Sequence, residues 1–276
     1  MSALMWRSVG AAHPRRLGEA RRQAHSAVQW LSRLAHSYMA PQPDARHTRL
    51  RWDPQRLALV TQEFLPALTV ELRIPGLALQ FKQDDRPVPH VMEVDDRTPA
   101  EVEAWVLVEL LHRGLDRDRF SKSLPYQMPD LITGDAVGYV AAPLAAELDE
   151  LAAWFTNAAE ILAAIASEAP PAPTPPAPTP PAPAPWFWPE VSHLAVLLPL
   201  HPHDFSRGRM LRAGFSVGDG GSDQAYFYVM PHDTIATPPS ASVLTAASFL
   251  AERQPAEAAL DRLRAAVGAL RKTAAK

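Results

Sequence analysis

Residues 169–185 read APPAPTPPAPTPPAPAP, and no other stretch restricts the fold of this chain as strongly. Each proline fixes φ and lacks an amide hydrogen, so the run can join neither a helix interior nor a sheet ladder. It is expected to form an extended polyproline spacer rising about 3.1 Å per residue, with a reach on the order of 50 Å. The regular structure must then lie on either side of it. That divides the chain into a flexible N-terminus over 1–15, an N-terminal α+β half over 16–168, the Pro/Ala spacer over 169–185 and a C-terminal α+β half over 186–276.

From Arg16 to Met39, the positions Leu17, Ala20, Ala24, Ala27, Val28, Leu31, Leu34, Ala35 and Tyr38 recur at helical spacing, and Pro41 and Pro43 end the run. Three runs rich in Val, Leu and Phe (57–64, 68–74, 77–82) precede a fourth at His90–Val94. Pro66, Pro75-Gly76 and Asp84-Asp85-Arg86-Pro87 punctuate them, which predicts an antiparallel meander. Thr98, Pro99 and Glu101 then make a capping box for a helix that stops at Gly114 and buries Val102, Trp105, Val106 and Leu110. A second strong helix is expected over Leu144–Ser167, where apolar positions alternate steps of four and three. Beyond the spacer, Trp186–Leu200, Met210–Val217 and Tyr226–Met230 read as strands, the last two joined through Gly218–Asp223. The tail reads as helical over Ser240–Glu252 and Pro255–Leu270. Strands and helices are segregated rather than alternating, so the fold class is α+β, with an N-terminal meander and a short C-terminal sheet packed with helices.

At 276 residues the chain suits one large domain or two modest ones, and 47% hydrophobic residues can fill a core. The net charge of −3 supplies no attraction toward nucleic acid or an anionic membrane surface, so neither is expected as a partner. No stretch approaches 18 consecutive apolar residues and no signal-peptide pattern opens the chain, so the expected location is cytoplasmic and the chain soluble. Zero cysteines removes disulfides, thiol catalysis and cysteine-ligated zinc. Four lysines against 23 arginines, with abundant alanine and proline, point to a GC-rich bacterial genome.

Several patterns carry possible chemistry. Gly214-Phe215-Ser216-Val217-Gly218 formally matches the nucleophile elbow of α/β hydrolases, but that chemistry needs a strand, a tight turn and then a helix. Here Ser216 sits inside a strand pattern that leads through a Gly/Asp turn to another strand, which fits a hairpin serine better. His201-Pro202-His203-Asp204, with His193 upstream, offers imidazoles and a carboxylate to a divalent metal, or else is a polar loop where Pro202 breaks the strand. Asp44 and His47, with Trp52 beyond, could pair as an orienter and a base, or Asp44 could hydrogen-bond backbone in a turn while His47 packs. His25 and Gln29 lie one helical turn apart and either aim at a pocket or face solvent. The 218–223 loop lacks the residue order of a calcium loop, and no phosphate-binding loop occurs anywhere. The aromatics Trp186, Phe187, Trp188, Phe215, Tyr226, Phe227 and Tyr228 either line a small-molecule pocket, with tyrosine hydroxyls as polar handles, or form core.

In motif order the chain resembles a family of bacterial proteins of unknown function. That family carries D-D-x-H-T-N-x-x-W, a helix with a central tryptophan, Y-x-x-P, W-P-H-H-F-D, and G-x-x-S-P-G-D before Y-x-Y-V. The corresponding residues are Asp44-Ala45-Arg46-His47-Thr48 with Trp52, Trp105, Tyr126-Gln127-Met128-Pro129, Trp188-Pro189, Ser216-Val217-Gly218-Asp219 and Tyr226-Phe227-Tyr228-Val229. The likeness spans about Ala20 to Pro231. Glu190-Val191-Ser192-His193 stands where the family has H-H-F-D, and Val217 where it has proline. The resemblance implies a shared fold, no assigned activity, and one composite core with the spacer looping outside.

The expected function is a noncatalytic small-molecule-binding or accessory protein, because no complete catalytic set is visible. Its ligand-binding candidates are Asp44, His47, Trp52, Trp188, His193, Ser216, Tyr226 and Tyr228. The alternatives are a divalent-metal-dependent enzyme, with His201, His203 and Asp204 as candidate ligands, and a protein-interaction module presenting P-x-x-P repeats. No cofactor is predicted apart from that possible metal, and the partner is an unknown small molecule or protein.

Overall fold

The computed structural model describes residues 4–128, 130–169, 184–201, 210–219, 222–232 and 243–274. Most of the Pro/Ala spacer, together with His203 and Asp204, lies outside the described residues. The fold is α+β, with two five-stranded antiparallel sheets. In the first, the order is β1 (Arg51–Asp53), β2 (Ala58–Val60), β3 (Leu68–Arg73), β4 (Ala78–Gln83) and β5 (Arg86–Glu93), a plain meander. In the second, β6 (Trp186–Trp188), β7 (His193–Pro199), β8 (Met210–Ser216), β9 (Tyr226–Pro231) and β10 (Val243–Thr245) also follow chain order. No helix among the described residues is long and apolar enough to cross a membrane.

The chain gathers into two units, and each takes residues from both sides of the spacer. One comprises Ala11–Ala152 and Phe187–Ser192. Its first helix, α1 (Pro14–Tyr38), starts at a proline in the first turn and packs on β3. Trp30, Leu31 and Leu34 on α1 are each 1% exposed or less. Burying side chains of that size stabilises by about 1.5–3 kcal/mol each. Helix α2 (Pro99–His112) begins as its sequence predicts: the Thr98 hydroxyl accepts from the Glu101 amide, and the Glu101 carboxylate accepts from the Thr98 amide. It ends where Gly114 takes a left-handed φ of +65° and Leu115 N–H reaches back to the Leu110 carbonyl.

The other unit comprises Met1–Gly10, Ala153–Trp186 and His193–Lys276 within the described limits. Here α5 (Pro255–Ala274) packs on β8, β9 and β10. Period-2 alternation splits the aromatics of the sheet into two sets. Phe215 and Phe227 are cross-strand partners with centroids 4.9 Å apart, and Phe215 stacks on Trp154 of α3 (Ala145–Ser167) at 5.6 Å. Tyr226 and Tyr228 point to the opposite face, where they meet His193. The N-terminal stretch expected to be flexible is tied to this unit. Met5 N–H donates to Glu160, Arg7 N–H donates to Asn157, and Trp6 packs edge-on against Trp154 and Phe249.

Three expectations fail locally. Trp186–Leu200 is not one strand but two, because Pro189 follows β6 and Ser192 takes a φ of +58° before β7. Ser240–Glu252 is not a helix throughout. Val243–Thr245 completes the second sheet as β10, and only Ala247–Leu250 is helical, as α4. The meander also gains β1, where Trp52 pairs with Leu59.

Candidate functional site

The candidates named from sequence fall into three groups. In the first, Asp44 and His47 do not form an orienter and base. Asp44 and Ala45 both take left-handed φ, +56° and +48°, in the 3-10 turn Pro43–Thr48, which leaves Asp44 exposed and turns His47 inward to 1% exposure. Both nitrogens of His47 are then committed. The Gln42 amide donates to Nδ1 at 3.2 Å, so Nε2 carries the proton and donates to His36 Nδ1 at 3.1 Å. Burial, with His36 alongside, lowers the His47 pKa and keeps the ring neutral. Trp52 lies on β1, half-buried. His25 and Gln29 face neither a pocket nor solvent alone: both donate to the Pro189 carbonyl, at 2.7 and 3.0 Å. Trp188 carries the Arg49 guanidinium on its face at 3.8 Å.

The second group does converge. His193, Ser216, Tyr226 and Tyr228 meet on one face of the second sheet, around Asp219. The Tyr228 hydroxyl lies 3.1 Å from His193 Nδ1, His193 Nε2 lies 3.7 Å from Asp219 Oδ2, and the Tyr226 hydroxyl donates to the same carboxylate oxygen. Burial, then the Asp219 charge, pushes the Tyr226 pKa up, so this phenol stays protonated as a donor near neutrality. Ser216 is fully buried at the end of β8, where it donates to the Gly218 carbonyl and accepts from the Gly218 amide. A strand continues the chain after that turn, not a helix, so Ser216 is not presented as a nucleophile. These groups satisfy one another, which makes them a fixed polar network beneath the hairpin. The third group was the metal set. Of it only His201 is described, half-buried just after β7, and His203 and Asp204 lie outside the described residues.

The arrangement with unspent binding capacity was not singled out from sequence. A cleft of about 530 Å³ in the Ala11–Ala152 unit is walled by Trp30 and Arg33 of α1, Pro99, Ala100 and Glu103 of the first turn of α2, Lys122, and Ile132–Asp135. Two bonds hold its walls: Ala100 N–H donates to the Gly134 carbonyl, and Ile132 N–H donates to the Ser26 hydroxyl. Arg33 is its chemical centre. This side chain is 92% removed from solvent, since its relative exposure is 8%. Its guanidinium lies 4.6 Å from the centroid of the Trp30 ring, and Nε donates to the Lys122 carbonyl at 3.1 Å. Among the described residues, no carboxylate pairs with it and no acceptor meets Nη1 or Nη2. Burial lowers its pKa, with Tyr139, Tyr126 and Glu103 opposing, yet an arginine stays charged at any working pH. Nη1 and Nη2 keep access to solvent through the cleft, and an anion placed there would gain charge-assisted bonds in the forked geometry a guanidinium offers. Lys122 adds a second cation at the rim, paired with Glu103 at 3.0 Å.

Sequence reasoning passed over Arg33 because it sits between Leu31 and Leu34 on the apolar stripe, where a charged residue reads as the edge of an exposed face. His90, Glu109 and His112 were also missed. Their donor atoms lie within 4.8 Å of one another, a group of titratable side chains brought together from β5 and α2. No family model, no curated protein and no solved structure matches this chain.

Proposed function

We propose that this protein binds a small organic anion, a carboxylate or phosphate on an apolar or aromatic body, in the cleft headed by Arg33, and that it does so without catalysing its conversion. One observation carries this reading: Arg33, a residue only 8% exposed, lines a cleft of about 530 Å³ with no acceptor for Nη1 or Nη2 among the described residues. That volume suits a metabolite-sized ligand. Its anionic end would complete the fork of Arg33 in the bidentate geometry that guanidinium prefers. Trp30, Pro99, Ala100 and Ile132 supply apolar wall, while Thr133 and Asp135 offer polar contacts to the rest of the ligand. The likeness to bacterial proteins of unknown function is compatible with this role and adds no activity to it. A cytoplasmic location fits a metabolite ligand.

Isothermal titration with benzoate, phenyl phosphate and neutral benzamide tests the proposal. The two anions should bind and benzamide should not. Arg33→Gln should weaken anion binding at least tenfold, since a charge-assisted hydrogen bond contributes about 1.5–3 kcal/mol and about 1.4 kcal/mol is tenfold. Equal binding of benzamide, or anion binding unchanged in Arg33→Gln, would refute it.

A further inference from the structure

We propose that His90, Glu109 and His112 form a divalent-metal site of the zinc type, separate from the Arg33 cleft and independent of its ligand. The chemistry begins with Glu109. On α2 its carboxylate is 1% exposed and is paired with Arg113. Arg113 Nη1 occupies Oε2 at 2.8 Å, and the guanidinium carbon lies 4.2 Å from the centroid of the Phe81 ring, which fixes the carboxylate's orientation. Oε1 is left to face two imidazoles. His90 Nδ1, from edge strand β5, lies 2.8 Å away, and His112 Nδ1, one helical turn along α2, lies 3.5 Å away.

Two histidines, one from strand β5 and one from α2, bring the same ring nitrogen to one oxygen of a buried carboxylate. That is the arrangement a cation would organise. Zinc bonds of about 2.0–2.2 Å to nitrogen and oxygen place tetrahedral donor atoms roughly 3.3 Å apart. The observed 2.8 and 3.5 Å bracket that separation. Both imidazoles are more than half exposed and can turn toward a shared ion, every donor atom lying within 4.8 Å of the others, while the buried Glu109 stays fixed. Two neutral imidazoles and one carboxylate are a donor set suited to zinc, with the fourth position open to solvent. Arg113, bound to the far oxygen, orients the ligand as an outer-sphere partner does, and its positive charge limits the affinity.

Titration of the tag-free chain with Zn²⁺, followed by calorimetry, reads the site directly, and Co²⁺ substitution reports its geometry through ligand-field absorption. One ion per chain is expected, with a four-coordinate Co²⁺ spectrum. Loss of an outer-sphere partner alone costs about 10–100-fold in metal affinity. Removing a direct ligand by His90→Ala or His112→Ala should therefore weaken binding by more than about 100-fold and abolish the spectrum. Both residues are exposed, and an unchanged circular dichroism spectrum confirms that each variant is folded. Glu109→Gln, which keeps the shape, should lose the metal as well. No binding by the wild type, or binding retained in the His90→Ala/His112→Ala variant, overturns the proposal.

Discussion

Replacing Gly214 by alanine should destabilise the protein through one side chain. Gly214 lies directly across from Tyr228 in the β8–β9 ladder, and the Tyr228 ring lies over the space where a Cβ would stand. That Cβ would sit 2.7 Å from Cε1, and closer still to Cζ and the hydroxyl oxygen. Carbon contacts are favourable at roughly 3.5–4.0 Å, so the ring must move by about 1 Å. It has little room, being 1% exposed and packed with Tyr226 and Met230. It is also tied to His193 Nδ1 at 3.1 Å. Overpacking costs about 1–3 kcal/mol, and breaking the hydrogen bond adds about 1. The sum, about 2–4 kcal/mol, corresponds to a fall in Tm of roughly 4–16 °C at about 2–4 °C per kcal/mol. A double-mutant cycle with Tyr228→Ala, measured by urea denaturation, isolates the contact. Once the ring is gone the alanine meets nothing, so the coupling should reach at least about 2 kcal/mol. Additivity within about 0.5 kcal/mol would refute the steric account.

Two further predictions concern charge. Arg56 holds the fully buried Glu71 with two bonds of 2.6 and 2.5 Å, so Arg56→Ala should cost about 3 kcal/mol by leaving a buried carboxylate unpaired. Arg56→Ala/Glu71→Leu should recover most of that in urea denaturation, and an equal loss in the double variant would show that the charge is not the cause. His47 has a folded pKa below its ordinary 6.5 because of burial and His36, and His25 is lowered by burial as well, partly offset by the Pro189 carbonyl. Their contribution is therefore fully present above about pH 6.5 and lost as pH falls through the lower folded values, with a slope of at most about 1.4 kcal/mol per pH unit for each proton. Denaturation midpoints between pH 7.5 and 5 should fall less steeply in His47→Gln. An identical slope in that variant would contradict the assignment.

What was legible in the sequence was whatever depends on near neighbours. Thr98, Pro99 and Glu101 specify the start of α2 through bonds spanning three residues, and the meander of β2–β5 follows from turn residues beside each strand. Local punctuation was also where prediction slipped. The apolar run from Trp186 hid a break at Pro189–Ser192, and the small residues near Val243 read as helix although pairing with Tyr226–Tyr228 made them strand. The candidate sites depend on distant residues. His193, Tyr226 and Tyr228 could be chosen for their chemistry, but that Asp219 would tie them together required the register of β8 and β9. Arg33 gave no signal at all, because its burial is created by Lys122 and the first turn of α2, 66 or more residues away in sequence. Glu109 and His112 share a helix face at visible spacing, but His90 joins them from the edge strand β5.

The cleft is tested most directly by a crystal structure of the protein with phenyl phosphate at saturating concentration. Two phosphate oxygens should stand about 2.7–2.9 Å from Arg33 Nη1 and Nη2, the spacing of charge-assisted bonds, with the phenyl ring against Pro99 and Ile132. Phenyl phosphate bound elsewhere, or Arg33 left facing only solvent while the ligand is in excess, would contradict the assignment of this cleft as an anion-binding site.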